Sequence, residues 1–175
     1  MSQTLQATQL TGESVYFVRV APGYVNQAIQ ELSKQPNVTS VQPTLGAYDV
    51  LVTGRWNDFH GLSAFRAYVE AQSYCTACDV APGVSSWSRN SPTAYGYPLG
   101  GWSLIWTANP AETIRNLQNL PNVNGIHTTI GEYNLIVQFS VKTPDELMTT
   151  VTDHFHNYKE IRRTETFVSF PSLKN

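Results

Sequence analysis

Charge is scarce in this chain. Only 14% of its 175 residues are Asp, Glu, Lys or Arg, against roughly a quarter in ordinary soluble domains. Eleven basic residues face thirteen acidic ones, for a formal net charge of −2. No basic surplus is left to neutralise a phosphate backbone, so direct nucleic-acid binding is not expected. Cysteine is sparse too: Cys75 and Cys78 cannot build a disulfide scaffold. They also fall short of the four ligands of a structural zinc site and lack the strand-then-helix setting of a redox pair. Apolar runs such as Val50-Leu51-Val52 and Leu135-Ile136-Val137 are strand-sized and too short to cross a bilayer. The opening Met1-Ser2-Gln3-Thr4-Leu5-Gln6 has neither the basic nor the apolar stretch of a secretion signal. A soluble, cytoplasmic protein with no membrane contact is the expectation. Also missing are a glycine-rich phosphate loop, a nucleophile elbow and a paired-carboxylate constellation, so no catalytic residue, metal or cofactor is predicted.

What is present is a repeat. Residues 36–52 read PNVTSVQPTLGAYDVLV and residues 121–137 read PNVNGIHTTIGEYNLIV. At an offset of 85, Pro, Asn, Val, Thr, Gly, Tyr and Val coincide without a gap. That agreement identifies a duplication. Between the copies, Ala81–Gly101 holds seven of the chain's twenty-one Pro and Gly residues, a density that sustains neither a helix nor a central strand. The predicted organisation is a first repeat over 13–80, a linker over 81–101 packed down by Trp87, Tyr95, Tyr97 and Leu99, and a second repeat over 102–171.

Each repeat runs through the same elements. In the first, Val15–Val20 is a strand, and Val25, Ala28, Ile29 and Leu32 recur at helical spacing. Val38–Gln42 is a short strand, Gly46 marks a turn, and Ala47–Thr53 is a further strand. A helix over about Asn57–Gln72 carries Leu62, Phe65 and Val69, and a closing strand lies near Cys75–Val80. In the second, Trp102–Thr107, a helix with Ile114, Leu117 and Leu120, Val123–Thr128, a turn at Gly131 and Glu132–Phe139 follow in turn. A helix with Leu147, Val151 and Phe155 then opens on a Thr143–Glu146 capping box, and Ile161–Phe170 closes the repeat. The order is βαββαβ twice, a ferredoxin-like arrangement.

Apolar residues occupy both sides of the inner strands. Tyr48, Val50 and Val52 alternate with Leu51, and Tyr133, Leu135, Val137 and Phe139 alternate with Ile136. Two helices cover one face of a four-stranded sheet, so the other face needs a partner. The second repeat supplies it by packing sheet to sheet. The predicted fold class is α+β: two tandem ferredoxin-like repeats forming a dimeric α/β barrel within one chain.

With these residues in hand, the chain resembles the Lrp/AsnC ligand-binding (RAM) domain family. The resemblance rests on the proline-led second strand, the Gly-x-Tyr-Asp turn (Gly46, Tyr48, Asp49) and the closing strand of Lys159–Phe170, KEIRRTETFVSF. It implies a non-catalytic effector-binding protein whose small-molecule ligand, an amino acid in the family pattern, sits in a cleft between barrels. It also implies oligomers formed through barrel edges, or pairing with a full-length Lrp/AsnC-type regulator in transcriptional regulation. Only about a dozen residues precede the first strand, which is too few for the family's helix-turn-helix, so a stand-alone tandem version is expected. Carried over residue by residue, the ligand candidates are Gly46, Tyr48 and Asp49, then Gly131, Tyr133 and Asn134, then Thr164 and Thr166 of the closing strand. Asn134 departs from the pattern by lacking a charge. The first repeat departs by having Cys75-Thr76-Ala77-Cys78-Asp79 where the second has its threonines.

Plain structural readings stand beside these. The two glycines suit turns with φ > 0, the two tyrosines fall in phase with core residues, and threonine is a good strand former. His154 and His156 are two apart on a helix and cannot chelate together. The alternative from a different class is a barrel enzyme, cofactor-free monooxygenase-like or haem-dependent, with Trp102, Trp106, His127 and Tyr133 lining a pocket inside the second repeat.

Overall fold

The computed structural model describes residues 9–90 and 97–170. Pro92, Tyr95 and Gly96 of the expected linker, Met1–Gln6, and residue 171 lie outside the described residues. The first repeat comprises β1 (Ser14–Val20), α1 (Val25–Leu32), β2 (Val38–Leu45), β3 (Val50–Gly54), α2 (Phe59–Glu70) and β4 (Cys75–Ala81). A strand β5 (Gly83–Ser88) follows. The second repeat comprises β6 (Leu99–Thr107), α3 (Pro110–Gln118), β7 (Val123–Thr129), β8 (Leu135–Val141), α4 (Pro144–Thr149) with a π-helical turn (Thr150–Phe155), and β9 (Ile161–Ser169). Among the described residues no helix is long and apolar enough to cross a membrane.

Local chemistry explains the helix limits. Asp58 accepts a bond from the Gly61 amide at 2.8 Å and starts α2. Pro110 occupies the first turn of α3 behind Asn109, whose side chain caps the Glu112 amide at 3.2 Å. Thr143 caps the Glu146 amide at 3.1 Å, but the Glu146 carboxylate returns to the Lys142 amide, at 2.7 Å. The last helix is not α-helical throughout. Thr150 and Phe155, both buried, are five residues apart, and a widened π turn lets that spacing share one face. Thr150 there accepts from Asn122 at 2.8 Å, and Phe155 meets Phe139 edge-on at 5.4 Å between ring centroids.

The strand order is β4-β1-β3-β2-β9-β6-β8-β7-β5. Each repeat has its closing strand beside its first, and the repeats join where β2 meets β9 through Thr44↔Ser169 and Leu45↔Val168. The two strands at the ends of this order, β4 and β5, are neighbours in sequence, separated by Pro82 alone. One bent strand therefore pairs with β1 before the bend and with β7 after it, which closes the second seam of a barrel. Proline suits the bend, because no ladder bond is asked of its missing N–H, while its carbonyl accepts from Ile130 at 3.0 Å. The expected linker thus contains a strand. The proline and glycine density hid it, since each ladder needs only a short run of regular backbone. Trp87 of β5 packs on the second helix-side core. Arg89 lies over its ring and donates to the carbonyls of Val123, Gln118 and Leu120 at 3.0, 2.8 and 2.9 Å, tying the seam to the end of α3.

Three cores result. Tyr16, Val18, Val50 and Val52 meet α1 and α2 on one side. Ile105, Leu135, Val137 and Phe139 meet Leu117 and Phe155 on the other. Between the sheets, Val15, Phe17 and Leu51 of the first repeat interlock with Trp102, Leu104, Ile136 and Phe167 of the second. Burial of each such side chain contributes about 1.5–3 kcal/mol. This shared layer holds the repeats together.

Candidate functional site

The two Gly-x-Tyr turns shape one mouth of the barrel. Each is tied by a threonine from the preceding strand. Thr44 bonds the Tyr48 carbonyl at 2.9 Å, and Thr129 bonds the Tyr133 carbonyl at 3.1 Å. These ties delay β3 and β8 until Val50 and Leu135, three residues later than the alternation pattern predicts. The consequence is a change of side. Val50 and Val52 face the helices, whereas Tyr48 joins the layer between the sheets, and Tyr133 does likewise in its own repeat. The expectation that each tyrosine shares a face with the valines after it is therefore corrected.

Both tyrosines line a cavity of about 280 Å³ that draws on both repeats. Its floor is Phe17, Leu104 and Ile136, and its rim includes Ile130, Gly131 and Arg66 of α2. The polar walls form two similar pairs. The Tyr48 phenol donates to Asp79 of β4, and the Tyr133 phenol donates to Glu165 of β9, at 3.2 Å. An arginine lies against each ring, Arg19 at 5.4 Å from the centroid of Tyr48 and Arg163 at 5.1 Å from that of Tyr133. The bond to Asp79, with burial behind it, pushes the Tyr48 phenol up to about 12. Burial, then the charge of Glu165, raises Tyr133. Both phenols therefore stay protonated donors at neutral pH.

Each cation around this mouth already has a partner. Arg66 pairs with Glu70 at 3.0 Å, Arg163 with Glu132, and Arg19 donates to the Ala47 carbonyl at 2.7 Å. Asp79 and Glu165 receive a phenol each.

Of the eight residues singled out from sequence, Tyr48, Gly131 and Tyr133 line this cavity. Gly46 sits in the first turn at φ +143°, packed on Phe167. Asp49 accepts from the Val20 amide at 2.8 Å. Asn134 accepts from the Thr107 amide at 3.0 Å and donates to the Thr107 carbonyl at 2.9 Å. Both are braces on the end of the repeat's first strand. Thr164 and Thr166 face the helix layer: Thr166 bonds Ser103 at 2.6 Å and Thr164 bonds His156 at 2.7 Å. They and the tyrosines are on opposite faces of one sheet. Sequence reasoning passed over Asp79 and Glu165. The available signal was phase, because Glu165 is two residues before the inward Phe167 on the same strand.

The aromatic residues of the alternative reading are dispersed. Trp102 and His127 stack between the sheets at 5.9 Å, Trp106 is 40% exposed at a strand end, and Tyr133 is at the mouth. Burial holds the His127 imidazole below its usual range, against the pull of Glu13. Cys78 is buried in the first core, and that burial pushes its thiol to about 12, far from a nucleophilic thiolate.

Residues 107–175 match the Lrp/AsnC ligand binding domain family. No curated protein matches the chain. Among solved structures, the siroheme decarboxylase NirDL is similar over 90% of this chain and 70% of its own, with TM-score 0.68 and 10% identity. A single-substitution mutant of chlorite dismutase from Candidatus Nitrospira defluvii is similar over 95% and 92%, with TM-score 0.58 and 12% identity. FFRP-DM1 is 26% identical over 40% of this chain and 96% of its own, with TM-score 0.39. The long, low-identity likenesses share the dimeric α/β-barrel fold. The matched segment begins at the end of β6, the first strand of the second repeat, and that repeat is set in tandem with a first repeat of the same fold inside one barrel.

Proposed function

We propose that this chain is a non-catalytic effector-binding protein that takes a small molecule at the barrel mouth. In this reading it serves as a sensor or as a partner in transcriptional regulation without touching DNA itself. The observation that carries the reading is a cavity walled by equivalent tyrosine–carboxylate pairs from both repeats. A ligand bridging the two pairs favours the closed barrel over any state in which the sheets separate, which is how binding becomes a signal. The family's ligand-binding role supports it. Assembly with further copies, or with a full-length Lrp/AsnC-type regulator, belongs to the same reading.

The enzyme reading draws support from fold likeness alone, and fold does not carry chemistry. Its pocket belongs between sheet and helices, where Leu117, Phe139 and Phe155 of the second repeat are wholly buried against one another.

The test is a thermal-shift screen of the amino acids and their amines, read with sedimentation, on wild type and Ile130→Trp. Ile130 is an exposed rim residue, so the variant crowds the mouth without disturbing a core. A ligand present at 100 times its Kd stabilises by about 2.7 kcal/mol, and Ile130→Trp should remove most of that. No shift with any compound, or a shift indifferent to Ile130→Trp, sinks the proposal.

A further inference from the structure

We infer that the barrel-mouth cavity selects a compact organic cation, a primary amine on a short apolar body, and that it does not require a carboxylate on the ligand. This deepens the proposed function and rests on its choice of site.

Three carboxylates (Asp79, Glu132 and Glu165) and one guanidinium (Arg66) line the cavity. Glu132 is held by Arg163, and Arg66 is held by Glu70. Asp79 and Glu165 each accept one phenol, from Tyr48 and Tyr133. A phenol supplies one proton to a carboxylate that has about four acceptor positions. The remaining positions fit the three donors of an ammonium. Tyr48 and Tyr133 already hold Arg19 and Arg163 against their rings, so the ammonium falls to the carboxylates, and both phenols hold their protons, so neither adds a charge of its own.

The floor sets the rest of the ligand. Phe17, Leu104 and Ile136 offer no polar atom from their side chains, so the body that enters is aliphatic or aromatic. At about 280 Å³ the space matches a small amine better than a nucleotide or a tetrapyrrole. An amino acid fits less well than its decarboxylated counterpart. Its carboxylate lies near Asp79 and Glu165, and the arginines that could receive it, Arg19, Arg66 and Arg163, are already bonded to Ala47, Glu70 and Glu132, while like charges brought close together cost binding.

The experiment uses four isosteres that share one body: isopentylamine, isopentanol, isovalerate and leucine. Each is titrated calorimetrically into the full chain, into Glu165→Gln, into Asp79→Asn and into Ile130→Trp. The expected order of affinity is amine first, leucine at least tenfold weaker, alcohol and carboxylate weaker still. Glu165→Gln and Asp79→Asn each weaken the amine at least tenfold and leave the alcohol unchanged. Both variants keep an oxygen for the tyrosine to bond, so near-UV circular dichroism should match wild type. If the alcohol or carboxylate binds as well as the amine and Ile130→Trp blocks it, the site stands and the cation inference falls. Should leucine match or exceed the amine, the cation inference is likewise overturned. Binding of none of the four overturns the inference, and a blank amino-acid screen beside it overturns the site as well.

Discussion

The Gly-x-Tyr turns of the two repeats are alike in backbone and unlike in surroundings. Gly46 and Gly131 adopt φ of +143° and +140°, a region closed to most side chains. A Cβ on Gly46 would stand 2.7 Å from Cδ1 of Phe167, whereas one on Gly131 would meet nothing within 4 Å. The first turn is thus packed down on the closing strand of the other repeat. The second turn leaves open space, and that space adjoins the cavity. Duplication supplied two equivalent turns; their packing makes one a structural joint and the other a rim.

The largest expected effect breaks this symmetry directly. Gly46→Ala pays for backbone strain of about 1–3 kcal/mol and adds an overpacking cost of about 1–3 kcal/mol against Phe167. Gly131→Ala carries the strain alone. Denaturant midpoints measured at unchanged m-value should place Gly46→Ala well below Gly131→Ala. Equal losses would mean that Phe167 moves aside freely and that the joint is not tight.

The repeat, its element order and the need for one sheet to cover the other were all legible in sequence, because periodicity and duplication are local patterns. The strand inside the expected linker was not. Gly83 and Pro82 read as breakers, yet Gly83 is required by contact: a Cβ there would sit 2.0 Å from the Glu13 carbonyl oxygen of the passing N-terminal segment. The site was half legible. Tyr48 and Tyr133 were visible through the motif, but their side of the sheet depended on hydrogen bonds from Thr44 and Thr129, which no alternation count includes. Asp79 and Glu165 stayed hidden because their partners lie 31 and 32 residues away in sequence.

The residue after each tyrosine gives the next comparison. Asp49 and Asn134 both brace the end of a first strand, but only Asn134 also donates, to the Thr107 carbonyl. Asn134→Asp removes that donor and turns a carboxylate oxygen toward a carbonyl. A loss of about 1–2 kcal/mol is expected, by the cost of leaving an acceptor unpaired. Asp49→Asn keeps the acceptor for Val20 and should change stability by less than about 1 kcal/mol. Chemical denaturation of the two variants compares them. Equal losses would show that the amide and the carboxylate are interchangeable here, and that the departure of Asn134 from the family pattern carries no structural weight.

The smallest effect concerns protons at the mouth. The Tyr48 phenol is raised chiefly by its bond to Asp79, and the Tyr133 phenol chiefly by burial. A phenol whose folded pKa exceeds its unfolded value stabilises the fold while it keeps its proton. For Tyr48 this contribution is complete below pH 10 and is lost as pH rises toward about 12. Tyr48→Phe should therefore flatten part of the alkaline fall in stability across that window. The origin of each shift separates the repeats. Asp79→Ala removes the leading cause at Tyr48 and should bring its ionisation down toward the ordinary range, visible as earlier phenolate absorbance. Glu165→Ala removes only a secondary cause at Tyr133, so its ionisation should move less. Equal displacements in the two variants would show that the pairs are equivalent in strength as well as in position, and the asymmetry of the mouth would then rest on the glycine turns alone.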